Sequence, residues 1–450
     1  MSLVSGARGS KFRVLLLTNR DSDNVGDQVI EATVISLIKA AFANLDVAAD
    51  QFEISSRAAG IITRAYMRTQ DPALLASARK AISSADLLVF GGAPLFNYTY
   101  QKFYLRTIKT LELAHEYNVP VLFSSIGVEP YNADNPKSVA LKEALALPVV
   151  RQITTRDDYK SLEHYVAGTD VRIAHVSDPA VFADVVFGDD RSAPAAGGTE
   201  SRKTVGLVPT RAAIFKDNGI DFAEDAQLTF WLDLIALLTQ RGYDYRLFTT
   251  GHFTDEEFLE KLVAAGGLPP HKAALRVNSP EELVSELVAC DAVVAYRLHA
   301  SITSYAYGIP SIGLSWNFKV PYFYESVGYG ERALDASRWT ASDVLPALEK
   351  ALAEGVTKDQ EFLVSVYQTL FAGIKGIVAP GSPHEPYSYV ELRANLPAYG
   401  GTSKADYREK LGNKSRRADD FYNRGSASAK QPTVAGRIYR RAKRALRRIG

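Results

Sequence analysis

Short apolar runs alternate along the chain with longer segments whose apolar residues recur at helical spacing. The run FRVLLLT at residues 12–18 is typical of a buried strand, and the polar loop NRDSDNVGD separates it from QVIEATVISLIKAAF. In that segment apolar residues recur every three or four positions, which predicts a helix. Strand, loop and helix follow in this order through most of the sequence, and this alternation predicts parallel sheets covered by helices on both faces.

The alternation stops at residues 189–203 and then starts again. This stretch, DDRSAPAAGGTESRK, is rich in Ser, Ala, Gly and Pro and has no apolar periodicity, which indicates a linker. We therefore predict two doubly wound α/β domains, an N-terminal one over residues 11–188 and a C-terminal one over residues 204–355.

Three segments follow the second predicted domain. Helical periodicity at residues 356–378 predicts a helix that could return to the N-terminal domain. Residues 379–435 contain Gly, Ser, Pro and Lys with weak periodicity, so we expect a flexible segment. The sequence GRIYRRAKRALRRIG at residues 436–450 places apolar residues on one helical face beside seven Lys and Arg residues, the pattern of a basic amphipathic helix.

Charge is distributed unevenly between the body and the tail. The net charge is +1, but residues 401–450 contain 15 Lys and Arg against 4 Asp and Glu, and the first 400 residues are net acidic. A basic amphipathic helix suits an anionic membrane surface, so we expect a cytoplasmic protein that contacts the inner face of the membrane. A solvated tail, or one that binds nucleic acid without specificity, is the alternative; we expect no specific nucleic-acid partner.

Several classes of site lack their sequence pattern. The single cysteine, Cys290, excludes an intramolecular disulfide framework and a cysteine-rich metal site. No apolar run approaches the ~20 residues of a membrane span, and the N-terminal apolar run predicts a strand rather than a signal sequence. Neither GxGxxG nor GxxxxGK[ST] occurs, and no cluster of ligands indicates a metal. We expect neither a metal nor a cofactor.

The strongest candidate chemistry lies in DAVVAYRLHASI, where Arg297 and His299 stand between a predicted strand and a helix. Ligands bind at such strand ends in doubly wound sheets, and a helix N-terminus favours an anion there. Arginine binds carboxylate or phosphate through two hydrogen bonds, and histidine can act as an acid near neutral pH. The pair therefore predicts a site that holds an anion and moves a proton.

Two further cations follow predicted strands. Arg156, in TTRDDYKSL, would grip a carboxylate or phosphate, and an internal ion pair is its structural alternative. Lys319 follows the strand PSIGLS and would reach the same rim, with a solvated loop lysine as the alternative. Asp178 precedes a proline in SDPAV, which indicates a turn or a helix start.

Two loops of the N-terminal domain add polar and backbone groups. Gly91 and Gly92 end a predicted strand, so a ligand could approach their backbone and an anion could accept from their N–H groups. Asn24, Gly26 and Asp27 lie between the first strand and helix. They would line the cleft, although a turn and a helix cap explain them as well.

Together, six segments make the chain resemble the polysaccharide pyruvyl transferase family over about residues 12–335. They are NVGDQVI, GGAPLF, SSIGVEP, TTRDDYKSL, VSDPAV and AYRLHASITSYAYGIPSIGLSWNFKVPYFYESVG. The resemblance implies a GT-B-like α/β fold, with two Rossmann-like doubly wound parallel-sheet domains facing across a cleft. It also implies transfer of a pyruvyl group from phosphoenolpyruvate to saccharide hydroxyls, with ketal formation, in cell-surface or exopolysaccharide biosynthesis.

The resemblance also implies roles for individual residues. The R-x-H motif of the family falls on Arg297 and His299, and its R-D arginine falls on Arg156. Phosphoenolpyruvate carries two anionic groups and must be protonated at its methylene carbon, so we expect His299 to be the general acid. The expected donor-binding residues are Arg297, Arg156, Lys319, Leu298, Gly91 and Gly92. The residues expected to line the cleft or face the acceptor are Asn24, Gly26 and Asp27.

One departure and two alternatives accompany this interpretation. Ala93 stands where the family commonly has a third glycine, which puts backbone contacts at that position in doubt. The partners would be phosphoenolpyruvate and a saccharide acceptor, and the basic tail would suit an acceptor carried on a lipid. The alternatives are a GT-B glycosyltransferase that uses a nucleotide sugar and a non-catalytic protein that binds a sugar or an anion.

Overall fold

Two parallel sheets of six strands each form the framework of the protein. The computed structural model describes residues 11–99, 103–188 and 202–428. The strands of the first sheet are β1 (Phe12–Thr18), β2 (Phe52–Ala58), β3 (Leu87–Gly91), β4 (Val121–Ile126), β5 (Val150–Thr155) and β6 (Arg172–His175). Those of the second sheet are β7 (Thr204–Val208), β8 (Asp244–Phe248), β9 (Ala273–Ala274), β10 (Ala292–Ala295), β11 (Ser311–Leu314) and β12 (Ala333–Leu334).

Helices separate most of these strands, as the sequence predicts. Those of the first lobe, within residues 11–188, are α1 (Gly26–Asn44), α2 (Arg64–Thr69), α3 (Ala76–Ser83), α4 (Phe103–Glu116), α5 (Pro136–Leu145), α6 (Tyr159–Val166) and α7 (Ala183–Val186). Those of the second lobe, within residues 202–355, are α8 (Ala213–Asp217), α9 (Glu224–Gln240), α10 (Phe253–Ala265), α11 (Pro280–Val288), α12 (Leu298–Ala306), α13 (Lys319–Ser326) and α14 (Ala341–Glu354). The last three helices are α15 (Gln360–Val378), α16 (Tyr389–Asn395) and α17 (Lys404–Ser428).

Continuous apolar runs become strands because both faces of each sheet are covered. Every residue of β3 is buried, as is every residue of β4, and alternation with polar residues is therefore not required. The strand order is β2-β1-β3-β4-β5-β6 in the first sheet and β12-β11-β10-β7-β8-β9 in the second. All neighbouring strands pair in parallel, for example Val14 with Leu87. The predicted two-domain α/β, GT-B-like fold is confirmed.

The strand orders determine where a ligand can enter. The order reverses between β1 and β3 in the first lobe, and between β7 and β10 in the second. In open parallel sheets the crevice lies at the carboxyl ends of the strands beside such a reversal. Asn24 and Asp27 follow β1, Gly92 follows β3, and Arg297 follows β10, so these candidates lie at the two reversals.

The two lobes meet through loops at these strand ends. The Val25 N–H group, after β1, donates to the carbonyl of Thr250, after β8, at 2.6 Å. Gly251 has a φ of +91°, and a Cβ there would come within 2.7 Å of Val25 Cγ2. Gly251 therefore permits both the backbone turn and the close approach of the first-lobe loop.

Helix α15 packs on the first lobe although it follows the second in sequence. The Ser177 hydroxyl donates to the Leu363 carbonyl, and the Gln152 amide donates to the Thr369 carbonyl, both at 2.8 Å. Among the described helices, α15 is the one with the length and apolar composition of a membrane span. Its buried contacts with the first lobe account for this composition, because the core helix of a globular protein is equally apolar.

The region predicted as flexible, residues 379–435, contains two helices, and the prediction is wrong in this respect. Helix α16 begins with a capping box, in which Ser388 and Glu391 each satisfy the backbone N–H group of the other. The described residues from Gly401 onward belong to a separate unit, in which α17 begins where the Ser403 hydroxyl accepts from the Asp406 N–H group. Caps rather than apolar periodicity mark both helices. The predicted basic helix at 436–450 and nearly all of the predicted linker lie outside the described residues.

Candidate active site

His299 lies in the first turn of α12, where two residues of the first lobe contact its imidazole. The Asn24 amide nitrogen lies 3.0 Å from His299 Nδ1. On the other side of the ring, Asp27 Oδ1 lies 3.8 Å from Nε2. The His299 side chain is only 12% exposed, so the imidazole is largely enclosed at the boundary between the lobes.

Gly26 makes this approach possible. A Cβ at position 26 would lie 2.2 Å from His299 Cβ and 2.6 Å from its Cγ, distances that side-chain atoms cannot adopt. The absence of a side chain at Gly26 therefore brings the loop before α1 against the imidazole. The three residues predicted to line the cleft, Asn24, Gly26 and Asp27, all lie against His299.

Asp27 is a buried carboxyl in the first turn of α1. Its Oδ2 atom accepts a hydrogen bond from the Asn19 amide at 3.0 Å. Burial raises the pKa of Asp27 to about 6, and the Ser22 hydroxyl and the charge of Arg156 limit the rise. Asp27 can therefore hold or release a proton near neutral pH.

Arg156 follows β5 and forms a buried ion pair with Asp178. Its Nη1 atom contacts Asp178 Oδ2, while its Nε atom lies 3.9 Å from Asp157 Oδ1. Asp178 is held in turn, because its other oxygen accepts from the Ala180 N–H group at 2.8 Å. The internal ion pair that is the alternative explanation for Arg156 is thus present. Arg156 Nε, however, is buried and has no hydrogen-bond partner in the described part of the chain.

Lys319 begins α13 and brings a second-lobe cation to the same place. Burial and the charge of Arg156 lower the pKa of Lys319, while the carboxylates of Asp157 and Asp27 oppose that effect. Within residues 11–99, 103–188 and 202–428, no carboxylate oxygen lies within 4.0 Å of its amine. Lys319 is therefore a partly buried ammonium that an incoming anion could pair.

Arg297 is anchored within the second lobe. Its Nε donates to Asp255 Oδ2 at 2.8 Å, and its Nη2 lies 2.6 Å from the same oxygen. Asp255 is fully buried and also accepts from the Thr210 hydroxyl at 3.1 Å. The sequence predicts that Arg297 offers its guanidinium to an anion, whereas in the structure one edge of that group is committed to Asp255.

The backbone prediction at Gly92 needs correction. The Gly92 N–H group already donates to the Ser124 carbonyl at 2.9 Å, so it cannot receive an anion. A Cβ at Gly92 would come within 2.3 Å of Ile30, and one at Gly91 within 3.0 Å of Val34, so both glycines make room for α1. Close packing of helix on strand explains both glycines, and contact of Gly91 with the donor stays a prediction.

The contact predicted between Leu298 and the donor stays a prediction. The partly buried side chain of Leu298 packs against the hydrophobic cluster that includes Val25 and Ala300. An apolar side chain in these surroundings stabilises the helix position, so nothing in its packing indicates contact with a donor.

Sequence reasoning missed a second polar group, which surrounds Asp255. The Arg211 N–H group donates to Asp255 Oδ1 at 3.1 Å, and Arg211 Nη1 lies 3.5 Å from His252 Nδ1. Burial lowers the pKa of His252 to about 4, so this imidazole is neutral at neutral pH. The segment TTGHFTDEE follows β8 and begins α10, and its polar residues at a strand end were the available signal.

The electrostatics of the site favour an anion. Burial, followed by the charges of Arg156, Lys319 and Arg297, holds the pKa of His299 well below its ordinary value. The imidazole is therefore neutral at neutral pH. Cations from both lobes act on one position, and an anion bound there would relieve their mutual repulsion.

Comparisons with known proteins agree with this architecture. Residues 24–317 match the family model described as polysaccharide pyruvyl transferase. A comparison with curated protein sequences gives no match.

Solved structures of similar shape include three sugar-nucleotide proteins. A structure from Listeria monocytogenes assigned to UDP-N-acetylglucosamine 2-epimerase is 11% identical, with 84% of this chain and 99% of that chain covered and a TM-score of 0.51. UDP-GlcNAc 2-epimerase from Methanocaldococcus jannaschii is 12% identical, with 80% of this chain and 98% of that chain covered and a TM-score of 0.49. ADP-heptose LPS heptosyltransferase II from E. coli is 14% identical, with 76% of this chain and 99% of that chain covered and a TM-score of 0.36. At such identities, the Listeria structure shows a shared fold alone.

Proposed function

Because the chain belongs to the polysaccharide pyruvyl transferase family, we propose that it transfers a pyruvyl group from phosphoenolpyruvate to two hydroxyls of a saccharide, forming a ketal. The family match covers more than half of the 450 residues and includes Asn24, Asp27 and His299, while Lys319 lies just beyond its end. The observation that carries the proposal is the enclosed imidazole of His299, which lies between Asn24 and Asp27 in the field of cations from both lobes.

The charges suit a donor with two anionic groups. Phosphoenolpyruvate carries a carboxylate and a phosphate on one three-carbon unit. Lys319, with no carboxylate within 4.0 Å in the described chain, and Arg156, with its unpartnered Nε, are the proposed contacts for these groups. Arg297, held by Asp255, adds positive charge from the second lobe.

The proposed reaction begins with transfer of a proton to the methylene carbon of the donor. This step leaves positive charge on the adjacent carbon, which a saccharide hydroxyl attacks. The bond to the phosphate oxygen then breaks, phosphate leaves with the electron pair, and a second hydroxyl closes the ketal. A site that excludes water favours this course, because water would otherwise attack the same carbon.

Phosphate release tests the proposal directly. We expect the full chain to release phosphate from phosphoenolpyruvate only when a suitable saccharide is present, with a pyruvate ketal as the coproduct. The measurement uses a panel of methyl glycosides, with phosphate followed by a coupled assay and the ketal by mass spectrometry. Consumption of a nucleotide sugar without phosphoenolpyruvate would instead indicate a glycosyltransferase, and binding without turnover would indicate a non-catalytic protein.

Replacement of the imidazole separates catalysis from binding. The His299→Ala variant should fold and bind phosphoenolpyruvate, while phosphate release falls by about 10²–10⁴-fold, the usual worth of a catalytic proton-transfer or hydrogen-bonding group. Calorimetric titration with the donor and the phosphate assay give the two readouts. Unchanged turnover would remove His299 from the reaction.

The tail gives a separate proposal on location. Residues 436–450, outside the described residues, would hold the protein at an anionic membrane surface close to a lipid-carried acceptor. Cosedimentation with vesicles containing anionic lipid, compared between the full chain and a chain ending at residue 400, tests it. Equal sedimentation of the two forms would contradict it.

A further inference from the structure

The hydrogen bonds of Asn24 fix which way its amide faces. Asn24 Oδ1 accepts from the backbone N–H group of Gly26 at 3.2 Å. A backbone N–H group can only donate, so the atom facing Gly26 must be the amide oxygen. The amide nitrogen then faces His299 Nδ1 at 3.0 Å, and the orientation follows from the network itself.

This orientation fixes the protonation of the imidazole. The Asn24 nitrogen donates, so His299 Nδ1 must accept, and the ring proton lies on Nε2. In an imidazolium, the Nδ1–H group would face the N–H group of the Asn24 amide, and two donors cannot form a hydrogen bond. The imidazolium would also add positive charge beside Arg156, Lys319 and Arg297. His299 is therefore a neutral Nε2–H donor, and giving that proton to carbon would leave an unfavourable imidazolate.

A carboxyl group lies on the side of the ring that carries the proton. Asp27 Oδ1 is 3.8 Å from His299 Nε2, and Asp27 Oδ2 accepts from the Asn19 amide. The nearby carboxylates of Asp178 and Asp157 both face the guanidinium of Arg156, although burial raises the pKa of Asp157. Asp27 has no ion pair with Lys or Arg in the described chain, and of these three carboxyls it is the one that lies within 4.0 Å of a His299 nitrogen.

We propose that Asp27, rather than His299, delivers the proton to the methylene carbon of phosphoenolpyruvate, and that Asn24 is a positioning residue that keeps His299 as a neutral hydrogen-bond donor. This assignment rests on the proposed function. It replaces the role of general acid that the sequence suggests for His299 and retains His299 as a catalytic residue whose Nε2–H group stabilises the donor.

The proposed steps balance in atoms and charge. The Asp27 proton forms the new C–H bond, and the carbon beside it accepts an oxygen from the first hydroxyl, whose proton returns to Asp27. The C–O bond to phosphate then breaks, and the oxygen of the second hydroxyl bonds to the same carbon. Phosphate takes the electron pair of the broken bond together with the proton of that hydroxyl. The products are the ketal carboxylate and hydrogen phosphate, and Asp27 ends the cycle protonated.

The direction of the pH dependence follows from the groups around Asp27. These are Asn19 and Ser22 on its own loop, His299 on α12, Arg156 after β5 and Lys319 on α13. Burial raises the pKa of Asp27, and a bound trianionic donor would raise it further by offsetting Arg156 and Lys319. Turnover should therefore fall as the pH rises through the pKa of Asp27, because the acid form is required.

Matched variants of the full chain test the assignment through phosphate release. We expect Asp27→Asn to lose at least ~10²-fold in kcat, because an amide cannot give a proton, whereas His299→Gln keeps an N–H donor and loses at most ~10-fold. The decline at high pH should persist in His299→Gln. The control is Asp244→Asn, at the amino end of β8, which should turn over as wild type does. A larger loss in His299→Gln than in Asp27→Asn would overturn the assignment.

Spectroscopy tests the protonation without turnover. In protein labelled with ¹⁵N-histidine, the resonances missing from His299→Gln identify His299 and should show the neutral Nε2–H form near neutral pH. In Asn24→Ala this preference should be lost. A neutral Nδ1–H ring or an imidazolium in wild type overturns the proposal.

The turnover results distinguish failure of the proposed function from failure of the proton assignment. If wild type releases no phosphate with any acceptor, the proposed function itself fails. If both wild type and Asp27→Asn are active, the proton assignment alone is overturned.

Discussion

At the scale of single residues, the site holds ionisable groups in surroundings that oppose their charges. Burial raises the pKa of Asp27 and lowers those of His299 and Lys319. Each shift moves a group toward its neutral form, and each costs the folded state free energy whenever the group is charged. Buried ionisable groups with shifted pKa values are typical of catalytic sites. They make the folded protein less stable than the same fold could be without them.

Asp27→Asn should stabilise the protein at high pH. The native state binds the Asp27 proton more tightly than the unfolded chain does, so the wild-type free energy of unfolding falls as the pH rises from about 4 to about 6. The amide avoids this loss. Urea titrations should show the variant more stable by ~1–3 kcal/mol at about pH 8 and not at about pH 4.

Asp244→Asn is the matched control with the opposite sign. Partial burial acts to raise the pKa of Asp244, but the hydrogen bond from Lys272, the hydrogen bond from the Tyr245 N–H group and the nearby positive charges together lower it. Its carboxylate therefore adds stability above the unfolded pKa, and the Asn variant should be less stable than wild type at about pH 8. A gain in stability for this variant, or none for Asp27→Asn, would contradict the argument.

Gly26→Ala should disable the site while sparing the fold. The new methyl group would overlap His299, so the loop or the imidazole must move and the Asn24 hydrogen bond should be lost. We expect phosphate release to fall by at least ~10-fold, since misplacement by about 1 Å is costly in catalysis. Gly412→Ala is the control, because a Cβ there meets no atom within 4 Å. Full activity in Gly26→Ala would show that this approach is unimportant.

At the scale of elements, a strand followed by a helix is the unit that delivers each functional group. Helix α12 begins at Leu298, so the position of β10 sets the positions of Arg297 and His299 on either side. Helix α1 sets Asp27 in the same way after β1. Helix α15 has no residue in the site. It supports this arrangement by packing on the first sheet.

Leu363→Ala tests that support. Leu363 is fully buried in the cluster that joins α15 to the first lobe, and its truncation leaves a cavity. We expect a loss of ~2–4 kcal/mol in the free energy of unfolding, measured by urea titration. Val390→Ala, at a side chain in α16 that is 70% exposed, should change it by less than about 0.5 kcal/mol. Equal effects of the two substitutions would mean that α15 contributes little.

At the scale of the whole molecule, the two lobes share the task of binding. Arg156 belongs to the first lobe and Lys319 to the second, and each acts on the pKa of the other groups in the site. An anion between them would offset the repulsion between these two cations. Donor binding should therefore stabilise the folded protein by linkage.

Lys319→Met should remove most of this stabilisation. We expect phosphoenolpyruvate to raise the melting temperature of wild type, and the donor affinity to fall by ~10–100-fold in the variant, because a charge-assisted contact is lost. Thermal melts and calorimetric titration give the two measurements. Lys272→Met, which removes the partner of Asp244 at the far end of β8, should keep the donor affinity of wild type. Unchanged donor affinity in Lys319→Met would place the anion elsewhere.

Much of the architecture could be predicted from the sequence, because parallel strands covered on both faces require continuous apolar runs and helices between them. The sequence also placed the candidate residues at strand ends, where the ligands of such sheets bind. It failed at α16 and α17, whose caps are local but whose apolar periodicity is weak.

The partners of the charged residues were decided by the tertiary structure alone. Asn24 meets His299 across 275 positions of sequence, and Arg297 meets Asp255 across 42. No local pattern encodes such pairs, since folding of two separate sheets brings them together. The sequence by itself determined that an arginine and a histidine would end one strand. The tertiary structure decided that the arginine is paired, that the imidazole is neutral, and that a buried carboxyl lies beside it.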